Sequence, residues 1–292
     1  MNRTNERMST LTAIAIALLL SVPIAAPKLF PITIREMSFA LIGALISAIF
    51  MVMREKLSQR ETHRLIESNE DILRTVEELR NILPSGHGGT GFHDAKKVIN
   101  HLDDQMMGFI AKSPFLHLST TNAKGEPSVS PKGDRAGSFV TVQKDLEGRG
   151  STLIIPDRPG NRLLFGLQNI VENPNVSILF EIPGTSTTLR CGGSAYISKD
   201  LGLLNDHVAR KCIPKVVIVV HIQYAFFHCA KAYMRSGLWD PTSWPKEEYK
   251  VCFGPYFAPK GSIEASQFDE KVDKHYARVQ NAIDGDGQEV EN

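Results

Sequence analysis

Two uncharged apolar runs open the chain, Thr10 to Pro27 (TLTAIAIALLLSVPIAAP) and Met37 to Met53 (MSFALIGALISAIFMVM). At a helical rise of ~1.5 Å per residue each covers roughly 25–27 Å, close to the lower bound for a hydrocarbon core of ~30 Å. The pattern predicts a two-helix membrane hairpin over residues 1–53. A cleaved signal peptide is the rival for the first run, although Pro27 directly after Ala25-Ala26 makes a poor cleavage junction. Burial of both runs as core helices is the other alternative. Arg3 and Arg7 precede the first run, and Arg54, Lys56 and Arg60 follow the second. Against Lys28 and Arg35 in the connection, that bias puts both termini, and with them the soluble domain, on the cytoplasmic side of the membrane.

Residues 54–83 are dense in charge and carry a helical period. Leu65, Asn69, Ile72, Val76, Leu79 and Leu83 alternate four and three apart, an a/d seam in which Asn69 would set the register. The spacing predicts a coiled-coil helix and a dimer; an amphipathic helix lying on the next domain is the alternative. Residues 84–91 (PSGHGGTG) read as a flexible linker.

From residue 92 to about 270 the period changes. Phe92 to Lys112 has helical spacing (Val98, Leu102, Met106, Phe109). Short β-rich runs follow: Phe115 to Thr121, Ser128 to Ser130, Phe139 to Val142, Thr152 to Ile155, Val176 to Ile182, Leu189 to Ile197 and Val216 to Ile222. Helical stretches lie between or after them, at Asn161 to Glu172, Leu201 to Lys211 and Phe226 to Arg235. Many antiparallel strands with few helices predict a mainly β, α+β domain: a small closed or split barrel with flanking helices. Residues 271–292, with Asp284, Asp286, Glu289 and Glu291, read as a disordered acidic tail.

Composition narrows the function. Of 292 residues 42% are hydrophobic and 22% charged, enough for a packed core. Lys+Arg is 33 against Asp+Glu 32, which removes a global electrostatic case for nucleic acid. The four cysteines (Cys191, Cys212, Cys229, Cys252) form no CxxC pair, so neither a disulfide framework nor a cysteine metal site is expected.

Three stretches carry candidate chemistry. In Ile155 to Arg162 (IPDRPGNR) a strand ends, Pro159-Gly160 turns the chain and Asn161 is placed to cap the next helix. Unpaired N–H groups at a helix start, with the guanidinium forks of Arg158 and Arg162, make a phosphate cradle; an ordinary capped helix with exposed arginines is the alternative. In Ser130 to Asp134 (SPKGD) Pro131 removes a ladder donor, which suits an edge strand or an irregular loop. At an edge, Gly133 would permit close backbone approach and Lys132 would present a charge. In His228 to Pro241 (HCAKAYMRSGLWDP) Lys231 and Arg235 share a helical face, with Trp239 beyond; an exposed basic face explains the same spacing. His228 and Cys229, adjacent on a helix, point apart, which argues against a nucleophile pair.

The order and spacing of these blocks, together with Gly125-Glu126-Pro127, ENPNVSILFEIPG at Glu172 to Gly184 and TLRCGGSA at Thr188 to Ala195, resemble the pyridoxamine 5′-phosphate oxidase-like FMN-binding split-barrel family from about Phe115 to Pro241. The resemblance implies a homodimeric six-stranded antiparallel split barrel with FMN at each end of the subunit interface. Carried onto this chain, it places Ser130, Pro131, Lys132, Gly133 and Asp134 along the flavin and Pro156, Asp157, Arg158, Asn161 and Arg162 at its phosphate. Thr188, Lys231, Arg235 and Trp239 would reach it from across the dimer. Leu163 stands where pyridoxamine phosphate oxidases show the second of a basic pair, and their C-terminal Arg-x-His signature is not evident, which argues against vitamin B6 as substrate. The expectation is a membrane-anchored FMN oxidoreductase acting on a small redox substrate, with Lys132, Lys231 or Arg235 stabilising the reduced flavin. A non-catalytic module binding flavin, haem or deazaflavin is the alternative.

Overall fold

The computed structural model describes residues 48–58, 60–61, 64, 71–84 and 97–285. The chain divides into two compact units, residues 1–84 and 85–292.

In the first unit residues 48–58 are helical and expose Ile49, Phe50, Met51, Val52 and Met53. Among the described residues no helix is long and apolar enough to cross a membrane. The Thr10 to Pro27 run lies outside the described residues, and the Met37 to Met53 run is described only from residue 48. Helix α1 spans Val76–Ile82 and buries none of its residues. The expected continuous helix over 54–83 is corrected here, because residues 71–75 are not helical. Thr75 is extended and starts a new helix through a capping box with Glu78, which satisfies the first N–H groups locally and breaks the seam between Ile72 and Val76. Leu65 and Asn69 lie outside the described residues, as does the linker from residue 85.

The second unit runs in the order α2 (Asp104–Lys112), β1 (Phe115–Thr121), β2 (Pro127–Gly133), β3 (Thr141–Lys144), β4 (Gly150–Pro156), α3 (Phe165–Glu172), β5 (Asn175–Glu181), β6 (Thr188–Ser198), α4 (Leu201–Asn205), β7 (Val217–His228), α5 (Lys231–Ser236) and α6 (Ile263–Asp284). Single 3-10 turns lie at Pro241–Ser243 and Gly254–Tyr256. All seven strands form one antiparallel sheet in the order β2-β1-β5-β6-β7-β4-β3. The expected six-stranded barrel is thus corrected to a seven-stranded sheet whose hydrogen bonding has two ends. In the α+β class, with helices flanking an antiparallel sheet, the expectation holds.

The sheet nonetheless curls. Five strand-to-strand steps separate β2 from β4, about 24 Å across a flat sheet at ~4.8 Å per step. Yet Lys132 at the end of β2 lies 3.0 Å from Asp157 just past β4. Side-chain ion pairs close the gap that backbone hydrogen bonds leave open.

The core follows from alternation where one face is covered and from continuous apolar runs where both are. In β1, Leu116, Leu118 and Thr120 point inward while their neighbours are half-buried. In β4 and β7, Leu153, Ile155, Ile218 and Val220 enter the main core, and Ile154, Val217 and Val219 pack against Leu204 of α4 on the opposite face. Helix α2 covers one end of the core with Met106 and Ile110. It starts at Asp103, whose side chain accepts from Met106 N, so the expected helix is corrected over residues 97–103, which are not helical, while Phe92 lies outside the described residues. Before it, Leu102 and Gly150 exchange backbone hydrogen bonds of 2.8 and 2.9 Å. A Cβ on Gly150 would stand 2.8 Å from both Leu102 and Val142, which is why a glycine starts that strand.

Two further expectations change. The acidic tail is helical as far as Asp284, because Ser262 caps α6 and Ala265, Phe268, Val272, Val279 and Ala282 give it an apolar stripe. Residues 286–292 lie outside the described residues. The expected helix Phe226 to Arg235 is split: β7 continues to His228, paired with Thr188, before α5 begins at Lys231.

Candidate functional site

Where the ends of β2 and β4 meet, the molecule opens into a cavity of about 1640 Å³. Ser128 to Arg135, Pro156 to Leu167, Ala209 to Lys215, Phe139 and Ile283 line it. Strand β2 is an edge, so Pro131 costs it no ladder partner on the open side. Seven basic side chains line the cavity against two acidic ones, and both acids are already engaged.

Asp134 is the hub. Its side chain is 2% exposed and accepts from Arg158 Nε at 2.6 Å and from Arg210 Nη1 at 2.7 Å. Burial alone would raise this carboxyl; the Arg210 hydrogen bond, the Arg135 backbone N–H and the charges of Arg158 and Arg210 overcome it and hold the group below the usual carboxylate range. Lys132 Nζ is tied to Asp157 Oδ1, so this cation is neutralised in place.

Arg158 has a donor to spare. Nε goes to Asp134 and Nη1 to the carbonyl of His207 at 2.8 Å, but Nη2 is buried without a hydrogen-bond partner among the described residues. A buried unsatisfied guanidinium N–H costs free energy unless an acceptor reaches it. On the wall of a basic cavity, the acceptor that fits is an anionic oxygen.

The backbone around the cavity is unusual. Among the described residues four non-glycine residues have positive φ: Arg162 (57°), Leu164 (57°), Arg210 (46°) and Lys211 (62°). All four line this cavity. Such conformations cost of order 1–3 kcal/mol each and concentrate at functional sites. Arg210 and Lys211 are the two central residues of a tight turn, closed by Ala209 N to Cys212 O at 3.0 Å and Cys212 N to Ala209 O at 2.8 Å. Positive φ at both positions normally calls for Asn-Gly. Here the Asp134 ion pair holds the turn through Arg210.

The phosphate cradle is rebuilt in one respect. Helix α3 begins at Phe165, and its N-cap is the left-handed Leu164 with no side-chain cap bond. Asn161 Oδ1 instead accepts from Leu163 N at 3.1 Å, an Asx turn that keeps Asn161 four residues outside the helix. Asn161 and Arg162 therefore line the cavity from a loop.

Ten residues singled out in the sequence line this one cavity: Ser130, Pro131, Lys132, Gly133, Asp134, Pro156, Asp157, Arg158, Asn161 and Arg162. Four do not. Thr188 is buried at the start of β6, Lys231 and Arg235 are exposed on α5, and Trp239 stacks on Tyr233 at 5.9 Å. Tyr233 in turn donates to the buried Glu181 at 2.6 Å. Arg210, Lys211, Lys215 and Ile283 were not anticipated, because a helix was expected through Lys211 and no short motif marks a strained turn.

Residues 102–229 match the family model described as pyridoxamine 5′-phosphate oxidase. This domain belongs to the pyridoxamine 5′-phosphate oxidase-like family. The family match takes in β1 to β7 and every cavity residue named above except Ile283. Among solved structures the chain is similar to HupZ of Group A Streptococcus (21% identity, 43% of this chain and 93% of that one, TM-score 0.35). It is also similar to general stress protein 26 from Bacillus anthracis (18%, 42% and 91%, TM-score 0.30). HutZ, the heme storage protein from Vibrio cholerae, is a third (18%, 43% and 94%, TM-score 0.29). No curated protein matches.

Proposed function

We propose that the domain binds a phosphorylated flavin, FMN, in this cavity and serves a redox reaction. The observation that carries the reading is the buried, unpartnered Nη2 of Arg158, a residue that lines the cavity. A phosphate monoester supplies the missing acceptor, and Arg162 and Asn161 line the same cavity. Membership of the pyridoxamine 5′-phosphate oxidase-like family supports a flavin. When bound, FMN supplies hydride or electron transfer to a small substrate. The chain's own part is to hold the phosphate, to orient the ring against β2 at Ser130 to Gly133, and to keep Lys132 fixed by Asp157.

The engaged state of both cavity carboxylates favours a second reading, a module that binds flavin, haem or deazaflavin without turnover: neither Asp134 nor Asp157 is free to shuttle a proton.

We further propose a homodimer in which Thr188, Lys231, Arg235 and Trp239 complete the partner's site, anchored through the N-terminal apolar runs with the domain on the cytoplasmic side. The exposed helical run Ile49 to Met53 supports the anchor.

The test is an absorption spectrum of detergent-purified protein, followed by titration with FMN and riboflavin. FMN is expected to bind at least tenfold more tightly. Equal affinities overturn the phosphate assignment, and FMN binding without turnover by any nicotinamide or dithionite-linked assay selects the binding module.

A further inference from the structure

Leu164, on the wall of the cavity, goes against three local preferences at once. It is the N-cap of α3, where Ser, Thr, Asp or Asn would satisfy the first N–H groups, yet it makes no side-chain cap bond. Its backbone is left-handed, at φ 57° and ψ 11°, a conformation natural to Gly and Asn and costly for leucine. Its side chain is 49% exposed, so burial within the chain does little to offset either cost. Conflicts of this kind between residue and setting concentrate at functional sites. Leu163 and Phe165 beside it, Val129 on β2 and Ile213 after the Arg210-Lys211 turn line the same cavity and are 53–62% exposed. Three segments remote along the chain thus bring apolar side chains to one concave surface.

We propose that the cavity takes, beside the flavin, an uncharged aromatic molecule of about the size of naphthalene, seated on Val129, Leu163, Leu164, Phe165 and Ile213. The inference rests on the flavin reading for that molecule's role as substrate; its seat rests on the apolar wall alone. Charge selects the occupant. Lys132 is tied to Asp157, Arg158 and Arg210 are tied to Asp134, and Arg135 Nη2 donates to the Ile283 carbonyl at 3.0 Å. With those cations engaged, an anionic second ligand gains little there, while an apolar one covers five side chains that water now touches. Phe165 adds aromatic contact for a ring. Room is sufficient as well: a pocket for one drug-sized ligand holds about 300–1,000 Å³, against about 1640 Å³ here.

The experiment uses the full detergent-purified chain with FMN added, and equilibrium dialysis of two probes: 2-naphthol, uncharged at neutral pH, and its anionic counterpart naphthalene-2-sulfonate. 2-Naphthol is expected to bind at least as tightly as the sulfonate. Leu164→Asn is expected to weaken 2-naphthol about five- to tenfold, the worth of covering a half-exposed leucine. The same variant is expected to raise the urea midpoint of unfolding, because asparagine suits both the left-handed backbone and the cap. Val129→Thr, nearly equal in shape, is expected to weaken 2-naphthol about threefold. Leu146→Asn, at a fully exposed leucine outside the cavity, is expected to leave the affinity as it is. Tighter binding of the sulfonate overturns the proposal, as does an unchanged 2-naphthol affinity in Leu164→Asn. A lowered unfolding midpoint in that variant also overturns it, by showing that Leu164 serves packing. So does a changed sedimenting mass with unchanged 2-naphthol affinity, which would give the apolar wall to a second copy of the chain. Loss of 2-naphthol in Leu164→Asn with no FMN binding in any chain sinks the flavin reading and leaves the apolar seat standing; FMN binding with 2-naphthol indifferent to Leu164 does the reverse.

Discussion

The Asp134 carboxylate lies 2.6 Å from Arg158 Nε, and through that contact the edge strand β2 is fastened to the end of β4, five places away in the sheet. Arg210 joins the same carboxylate at 2.7 Å, so one acid gathers three segments around the cavity. All three side chains are nearly buried, at 2%, 11% and 8% exposure. Removing one partner of such a group strands the others' charge, which costs far more than the intact cluster contributes.

Asp134→Asn is therefore expected to destabilise the domain by roughly 3 kcal/mol in urea unfolding. Because the native carboxyl is depressed, its stabilisation is complete above the ordinary carboxylate range. It declines as pH falls through that range towards the depressed native value. The variant's unfolding midpoint should show correspondingly less loss on acidification than the natural chain's; parallel pH profiles would contradict the hub.

Arg162→Ala should weaken FMN binding about tenfold to a hundredfold, the worth of a charge-assisted hydrogen bond. Riboflavin has no phosphate, and its affinity should move less than twofold. Fluorescence titration with both ligands separates a phosphate contact from a general disturbance of the loop, which would lower both affinities alike.

The turn at Arg210-Lys211 gives a test with opposite signs. Lys211 sits at φ 62°, where glycine is free and a β-branched residue is strongly disfavoured. Lys211→Gly is expected to stabilise the domain by about 1 kcal/mol and Lys211→Val to destabilise it by about as much, read from denaturant midpoints.

Thiol chemistry should follow burial. Cys191 lies wholly inside the core, where burial pushes its thiol up to about 12. At neutral pH its thiolate fraction is on the order of 10⁻⁵. Cys229 and Cys252 are exposed. An aromatic disulfide reagent should label those two promptly in the native protein and reach Cys191 only on unfolding; prompt modification of Cys191, located by mass, would mean that β6 opens.

Much of the sheet was legible from local pattern. Every strand run was found near its place, because alternation of inward and outward side chains is a property of a few successive residues; β2 was underestimated because Pro131 and Lys132 look unlike a strand. The helices fared worse. Asn161 was expected to cap α3, yet its side chain closes an Asx turn on Leu163 instead, two local options that composition does not rank. The spacing from Leu201 to Lys211 predicts a helix, whereas the helix ends at Asn205 and the chain turns sharply at Arg210. That turn is held by Asp134, which is 76 residues away and invisible to any window. At α6 the error was the reverse: acidic composition suggested a tail, while the apolar stripe from Ala265 to Ala282 carries a helix to Asp284.

Side-chain chemistry along the chain determined by itself that SPKGD would offer a charge and a glycine at a strand edge and that IPDRPGNR would carry phosphate-binding residue types, since those types and their spacing are fixed by covalent order. That the two stretches share one cavity, that Lys132 and Arg158 are held there by acids, and that a strained basic turn and the last turn of α6 join them, was decided only by the tertiary structure. The physical reason is the curl of the sheet. It brings together ends that are remote along the chain and along the hydrogen-bonded ladder, and the ion pairs that close it depend on that approach.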